Sequence, residues 1–495
     1  MHTQPAFYYK ILVGNKYAAS EYTYSCVCEI PIGAVVEVEY GRQSAVNSSK
    51  KQKAFGICIR KCEHEEGFII KPILRVFDYV VSSKLIEFAH AVASYNLVSI
   101  GSIIEMILPA VGFKSNPLQM IYQVDGQYVS LDQLIKNGYR RTKIEKLESG
   151  ENNVCVFDDH GIKFSHDQND SVKHIAQLQG VCLLEGATGS GKTLVALKGA
   201  VQKCWAHERL SGKILIITPE ISLGKNWGEI IQKHFNHYPC FYHYKIADLY
   251  KSSVLHWAFS TASGFIIGAR SALFLPYKNL SMIIVDEEHS QSLKQERYPR
   301  YHARDMAILR AKWENIPCLL LSATPSLETQ YNIELGKYEH TKLSRKPEHG
   351  HAQFQFVPAE KQQILSPVVL DEMKKAFENG EQVLLFLNRK GYAPYCICNG
   401  CNSILHCRGC DVPKIFYSNH MVVCHKCSSS QKLPITCPSC NATTTWKFYG
   451  IGVERLLEFT QEMFPNRTIK AVTSKTKEID EYIEDLNNQK IDCLI

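Results

Sequence analysis

Nowhere in the 495 residues does an apolar stretch reach the roughly 18 residues that a membrane-spanning helix requires, so no such helix and no membrane partner are expected. The N-terminus, MHTQPAFYYKILVG, lacks the charged segment and following apolar run of a secretory signal. No repeat of fixed period and no low-complexity segment occurs. Neither sign of charge dominates: 56 Lys and Arg against 49 Asp and Glu leave +7, which permits a polyanionic partner without requiring one. Hydrophobic residues at 45% and charged residues at 21% exclude a disordered or fibrous chain. One core rarely carries this length, so about three or four domains are expected. Cysteine is sparse along most of the chain and sits singly in apolar runs such as Val181-Cys182-Leu183, the habit of buried free thiols. The exception is local, because nine of the 19 cysteines fall between Cys396 and Cys440. Thiol usage and the lack of a targeting segment indicate a cytoplasmic chain, where such a cluster signals metal and not disulfides.

Residues 1–110 read as a small β-rich unit. Val36, Val38 and Tyr40 alternate with Glu37 and Glu39 as in a half-buried strand, and a basic tip over 47–53 precedes a second strand at 55–59. Residues 85–93 have helical spacing. Within 111–163, residues 115–160 suggest a short helix–turn–helix with a wing. Ser130 would cap a helix closed by Gly138, with a second helix at 142–148 and a strand at 154–157; a helical linker fits these residues as well. Residues 164–350 alternate helices with β-branched runs at 181–184, 214–217, 265–267, 282–285 and 318–321, the mark of a parallel sheet covered on both faces. Residues 351–395 and 441–495 form part of a second α/β unit, interrupted by the cysteine-rich 396–440.

Gly186-Ala187-Thr188-Gly189-Ser190-Gly191-Lys192-Thr193 satisfies G-x4-G-K-[ST], follows a buried run and opens a helix expected from Leu194. Glycines let backbone N–H groups approach phosphates at a helix N-terminus, where the dipole favours anions. Lys192 is expected to reach the β- and γ-phosphates of ATP, and the Thr193 hydroxyl to ligate Mg²⁺. The run 282–285 delivers Asp286-Glu287-Glu288-His289 to the C-terminal end of a strand, where such sheets place ligand contacts. Asp286 is assigned to the metal and Glu287 to the attacking water. Ser322-Ala323-Thr324-Pro325 follows the last run and can bond His289 or the γ-phosphate, which suits a nucleic-acid motor.

Four Cys-x2-Cys pairs, Cys398/Cys401, Cys407/Cys410, Cys424/Cys427 and Cys437/Cys440, crowd into 43 residues. Two residues between cysteines let both thiolates reach one tetrahedral ion at about 2.3 Å. Eight thiolates make two closed four-cysteine sites with no place for water, hence two structural Zn²⁺ and no catalytic one. Spacing leaves nested and consecutive pairings open. Cys396 is spare.

Here the chain resembles the bacterial replication-restart DNA helicases of superfamily 2, the primosomal protein N′ family, from about residue 20 onward. The likeness rests on Thr218-Pro-Glu-Ile221, Gly268-Ala-Arg-Ser-Ala-Leu-Phe274, the DEAH-box segment Asp286–His289, Ser322-Ala-Thr-Pro325 and Phe386-Leu-Asn-Arg-Lys-Gly-Tyr-Ala-Pro394 running into the four cysteine pairs. A restriction-type translocase, the other P-loop class weighed, lacks such a module. The resemblance implies a RecA-like ATP-binding lobe (164–350), a partial second lobe (351–395 and 441–495) with an inserted two-zinc module (396–440), a β-rich domain that binds DNA 3′ ends (1–110) and a winged-helix-like domain (111–163). It implies that Gln168 reads adenine. It implies that Tyr298, Arg300, Tyr301 and Arg304 lie in an aromatic-rich loop coupling DNA contact to ATP hydrolysis, where Tyr rings stack on bases and Arg groups meet phosphates. Tyr22, Gly41 and Lys71 match the 3′-end pocket, with Thr23 where the family usually has aspartate. Zinc pairing is nested by resemblance: Cys398, Cys401, Cys437 and Cys440 on one ion, Cys407, Cys410, Cys424 and Cys427 on the other. The implied activity is ATP-dependent 3′→5′ unwinding of forked and single-stranded DNA near the nucleoid. Implied partners are single-strand-binding protein and the loaders of the replicative helicase.

Two departures stand out. Gly452-Val453-Glu454 replaces the family's Gly-Thr-Glu, and beyond Cys493-Leu494-Ile495 the family continues into a Gly-Thr-Gln motif, an arginine-bearing motif and a C-terminal domain. Outside the cysteine module, residues 354–395 and 441–495 number only about 97, where such a lobe needs nearer 150. An arginine finger contributes about 10³–10⁵ in rate, so retained nucleotide binding with weak hydrolysis and impaired unwinding is expected; the alternative to the motor is a forked-DNA-binding protein of little turnover.

Overall fold

The computed structural model describes residues 7–41, 53–64, 70–113, 121–124, 127–130, 161–344, 354–358 and 363–495, apart from 207–208, 211, 236, 261–262, 388–390, 444, 474–475 and 477–478. The chain divides into two compact units, Met1–Glu348 and His349–Ile495.

In the first unit, β1 (Phe7–Val13), β2 (Glu21–Cys26), β3 (Ala34–Glu39), β4 (Lys53–Cys62) and β5 (Lys71–Val80) close into a barrel of order β1-β2-β5-β3-β4. Only β2 and β5 run parallel. Alternation explains the packing: Val36 and Val38 face the barrel interior with Tyr9, Ile11 and Cys58, whereas Val35, Leu12 and Ile57 turn outward onto helices. Those helices are α1 (Ser83–Tyr95), with Ser82 as its cap, and α2 (Ile100–Ile107), capped by Ser99. A hairpin of β6 (Ile121–Val124) and β7 (Gln127–Ser130) occupies part of the region read as helix–turn–helix. The expected helices and wing over 131–160, like the basic tip at 47–52, lie outside the described residues.

A seven-stranded parallel sheet follows: β8 (Val181–Gly186), β9 (Lys213–Ile217), β10 (Cys240–Tyr242), β11 (Gly264–Gly268), β12 (Leu280–Val285), β13 (Cys318–Ser322) and β14 (Glu339–Leu343), in order β10-β11-β9-β12-β13-β8-β14. The five apolar runs became its inner strands. The edge strands went unforeseen because β10 is three residues long and β14, Glu-His-Thr-Lys-Leu, is polar and mostly exposed, as an edge permits. One face, through Leu183, Leu215, Ile283 and Leu320, shares a core with α1, α2 and α7 (Ala303–Glu314). The other, through Leu184, Ile216, Met282 and Leu321, packs on α3 (His166–Gln177), α4 (Lys192–Lys203) and α5 (Ile221–Phe235). Among the described residues of this unit the other α-helices are α6 (Asp248–Phe259) and α8 (Leu327–Glu334).

The second unit holds a short parallel sheet in which Cys493–Leu494 lies between Val383–Leu384 and Ile469–Lys470. Met373, Phe377, Leu456 and Ile495 pack against it from the helices Pro367–Glu378 and Val453–Met463 and from the last residue. The cysteine-rich segment forms its own small β cluster, anchored by Tyr395–Cys398 paired with Trp446–Tyr449. Cys396, the unpaired cysteine, is buried in that cluster's core beside Phe416 and Val422.

Candidate nucleotide site and metal centres

The phosphate loop joins β8 to α4. Gly189 and Gly191 take φ of 79° and 82°, backbone that L side chains rarely adopt, and a Cβ on Gly191 would lie 2.8 Å from Gln168 Nε2. Helix α4 begins at Lys192 and not Leu194, with Gly191 as its N-cap, which draws Lys192 into the first turn. Its ammonium donates to the carbonyls of Gly186 (2.6 Å) and Ala187 (3.1 Å), held by the loop that would cradle phosphates. Gln168 has two roles at once. Its Oε1 accepts from Ser165 N (2.8 Å) in a capping box at the start of α3, and its Nε2 donates to Ser190 O (2.9 Å) in the phosphate loop.

Strand β12 ends on Asp286, whose Oδ1 accepts from Glu287 N (3.0 Å) and whose Oδ2 accepts from the Trp227 indole N–H (2.8 Å). Burial pushes the Asp286 carboxyl up and Glu287 adds to this, while the indole donor, the Glu287 N–H and Lys192 pull it back. Glu287 sits in left-handed backbone at φ 45° and reaches His289 Nδ1 at 3.5 Å. His289 Nδ1 lies 2.8 Å from Ser322 Oγ, which also accepts from Thr324 N (3.1 Å). The hydroxyl expected to bond His289 is therefore Ser322. Glu288, fully buried, accepts from Ser326 N (2.7 Å), Ser326 Oγ (2.9 Å), Thr329 Oγ1 (2.9 Å) and Arg304 Nη1 (3.2 Å). Lys192 is close enough to help lower the Asp286 carboxyl, so a cation and a carboxylate share this strand end, donor chemistry that suits Mg²⁺ with phosphate.

The aromatic-rich stretch departs from expectation. Tyr298 is 53% exposed and its hydroxyl contacts Ser99 N (3.0 Å) and Ser99 Oγ (3.2 Å). Arg300 is exposed, its Nε bonded to Glu296 O (3.1 Å). Tyr301 is buried, edge-on to Phe274 at 5.0 Å, because Lys294–Gln295 pairs with Tyr301–His302 and turns the ring inward. Arg304 is buried too, spent on Glu288 and Asp305. Tyr301 and Arg304 thus pack within the fold, and of the four residues Tyr298 and Arg300 are the exposed ones. The barrel residues do converge: Tyr22 meets Tyr40 edge-on at 5.3 Å, Gly41 follows Tyr40, and Lys71 Nζ donates to Gly41 O (2.9 Å). Thr23 accepts from Lys10 Nζ (2.8 Å).

The cysteines assemble into two sets, Cys398, Cys401, Cys437 and Cys440, and Cys407, Cys410, Cys424 and Cys427, each with all sulfurs within 4.8 Å of one another. Pairing is nested, which rules out the consecutive scheme. Sulfur separations of 3.9 Å (Cys398–Cys440), 3.7 Å (Cys401–Cys437) and 3.7 Å (Cys407–Cys427) fit the roughly 3.8 Å edge of a tetrahedron of 2.3 Å Zn–S bonds. Hydrogen bonds, first that from Ser429, hold the Cys407 thiol down at about 6, while the hydrogen bond with Cys427 pushes Cys410 in the same set up to about 12. Trp227, Glu288 and Ser326 escaped the sequence reading. Only Trp227 carried a signal, since a Trp buried inside a helix needs an acceptor for its N–H.

A family model described as DEAD/DEAH box helicase matches residues 165–333, and one described as 3'DNA-binding domain (3'BD) matches 10–109. Fold and site thus define a helicase-class P-loop protein whose N-terminal barrel matches the 3'DNA-binding domain model. The replication restart protein PriA of Haemophilus influenzae is 39% identical over 329 residues, 64% of this chain and 44% of that protein. That of Rickettsia felis is 31% identical over 431 residues, 84% of this chain and 61% of the relative. Over most of its length the chain is thus similar to replication restart proteins PriA, and it spans about half the length of the relatives it matches. Among the described residues no helix is long and apolar enough to cross a membrane.

Proposed function

We propose that this chain is the ATP-driven, DNA-bound motor of replication restart, moving 3′→5′ on forked or single-stranded DNA. The observation that carries the reading is the union, in one compact unit, of a phosphate loop facing Asp286–His289 with a barrel that gathers Tyr22, Gly41 and Lys71. ATP binding would draw the Lys192 ammonium from the Gly186 and Ala187 carbonyls to the β- and γ-phosphates. Mg²⁺, when bound to Thr193 and Asp286, would neutralise developing charge. Glu287 would orient the attacking water, and His289 with Ser322 would register loss of the γ-phosphate. Gln168, already tied to the phosphate loop, would relay base contact to it. The zinc sets would hold the second unit's cysteine module rigid, and the groove between them, where Arg408 is exposed, would offer a cation to a phosphate backbone. Single-strand-binding protein and helicase loaders would dock on the assembled fork complex.

The test is steady-state ATP hydrolysis by the 495-residue chain with and without forked DNA, against Lys192→Ala. Stimulation by DNA of more than about tenfold that Lys192→Ala abolishes supports the motor. Fork binding without turnover above that control replaces it with a DNA-binding role.

A further inference from the structure

Helix α5 lies unusually close to the sheet. A Cβ on Gly228 would meet Phe241 at 2.6 Å, and one on Gly224 would meet Ile267 at 3.2 Å. These glycines are four residues apart, so both fall on the face turned to the strands. Their lack of side chains brings the next bulky group on that flank, Trp227, down to the end of β12. Trp227 is 2% exposed and its N–H donates to Asp286 Oδ2 at 2.8 Å. With Glu287 N on Oδ1, both carboxylate oxygens have a fixed donor, so the plane of the Asp286 carboxylate is set before any ligand arrives.

We propose that Trp227 is a positioning residue for metal-dependent nucleotide binding: through its indole N–H it holds the Asp286 carboxylate in the orientation that receives Mg²⁺. The inference rests on the nucleotide-site reading above. A plain core role would also bury Trp227 among Ile214, Ile284 and Phe265. The two roles differ in what they affect. Loss of core packing weakens the fold and nucleotide binding with or without metal. Loss of carboxylate orientation touches only the metal-dependent part. Helix α5 also leads out of Thr218-Pro-Glu, where Thr218 N donates to Gly268 O (3.0 Å), so the same helix ties that strand-end loop to the metal carboxylate.

The experiment measures binding of a fluorescent ATP analogue to the full chain, titrated with Mg²⁺ and repeated in EDTA, for wild type, Trp227→Phe and Lys192→Ala. Trp227→Phe keeps an aromatic ring but has no N–H. It should raise the half-saturating Mg²⁺ by about tenfold, the lower end for losing a second partner of a metal ligand. Affinity in EDTA should stay within about twofold. Equal losses in both conditions, or no change in either, would overturn the proposal. Should Trp227→Phe not fold, ¹⁹F NMR of the wild-type chain labelled with 5-fluorotryptophan answers the same question on its five tryptophans. One resonance, assigned by elimination as the one that persists in each of Trp205→Phe, Trp257→Phe, Trp313→Phe and Trp446→Phe, should move with Mg²⁺ and nucleotide but not with nucleotide in EDTA, and a still spectrum would refute it. Wild type that fails to bind nucleotide, or binds no better than Lys192→Ala, instead removes the underlying reading and the proposal with it.

Discussion

Arg304→Met retains the length and apolar stem of the side chain while stripping the cation from Glu288. Glu288 is fully buried, and among the described residues Arg304 is the cation paired with it, at 3.2 Å. Removing one partner of a buried ion pair costs about 3–5 kcal/mol. Three hydrogen bonds to Glu288 survive, from Ser326 N, Ser326 Oγ and Thr329 Oγ1, so the lower end applies, about 3 kcal/mol. With unfolding entropy near 2.1 cal/mol/K per residue over the Met1–Glu348 unit, the transition of that unit should fall by about 4 °C. Calorimetry of the full chain reads the shift directly. Adding Glu288→Gln to Arg304→Met removes the stranded charge and should restore most of the loss. The competing role, contact with a DNA phosphate, predicts an unmoved transition and a salt dependence of single-strand binding weaker by about 0.7 in log–log slope. That pair of results would refute the assignment of Arg304 to the fold.

Three further outcomes follow from the geometry. The purified chain should hold two zinc ions by atomic absorption, and Cys437→Ser, which opens only the Cys398-Cys401-Cys437-Cys440 set, should leave about one with Cys407-Cys410-Cys424-Cys427 intact. His237, packed edge-on to Phe265, is held by burial at about 4 against 6.5 unfolded. Between those values the unfolded chain binds more protons, so stability is full above about pH 6.5 and falls toward pH 4 by up to about 3 kcal/mol, and His237→Phe should flatten that fall in urea titrations across pH. Tyr298→Phe, which loses only the hydroxyl on Ser99, should bind single-stranded DNA several-fold more tightly by fluorescence anisotropy, whereas weaker binding would show that the hydroxyl itself contacts DNA.

Chemistry confined to a short stretch was legible in the residues. The phosphate loop declares itself because close backbone approach demands glycine at fixed spacing, and the cysteine pairs because two thiolates on one ion demand two intervening residues. The inner strands were legible because strands covered on both faces are continuously apolar. The edge strands were not, since an exposed edge carries no such pattern. Nested zinc pairing could not be derived from spacing, because it depends on Tyr395–Cys398 meeting Trp446–Tyr449 across the module. The aromatic-rich stretch misled for a related reason. Alternating Tyr and Arg look the same on a surface ribbon as on one folded inward, and only the pairing of Lys294–Gln295 with Tyr301–His302 shows which rings turn in. Trp227 and Asp286 are 59 residues apart, and nothing local links them.

What the long-range contacts add is a continuous connection between the phosphate-loop end of the sheet and the N-terminal barrel. Glu288 follows β12 two residues after Asp286 and binds Arg304, which begins α7 directly after the Lys294–His302 ribbon. The ribbon's exposed Tyr298 bonds Ser99, whose Oγ caps α2 and also donates to Lys16 O (2.8 Å), in the loop entering β2 and Tyr22. Two hydrogen bonds of about 1 kcal/mol each hold Tyr298 on α2. Stacking one base on a tyrosine is worth about 1–3 kcal/mol. Were Tyr298 to stack on a base, as the resemblance implies, its docked and stacked positions would be nearly balanced, and a strand drawn across this face would have enough energy to lift the ring without breaking the fold. Release of Ser99 would at once loosen the cap of α2 and the loop before Tyr22. A hydroxyl so placed makes single-strand binding compete with barrel rigidity, which is why its removal should tighten DNA binding and not weaken it.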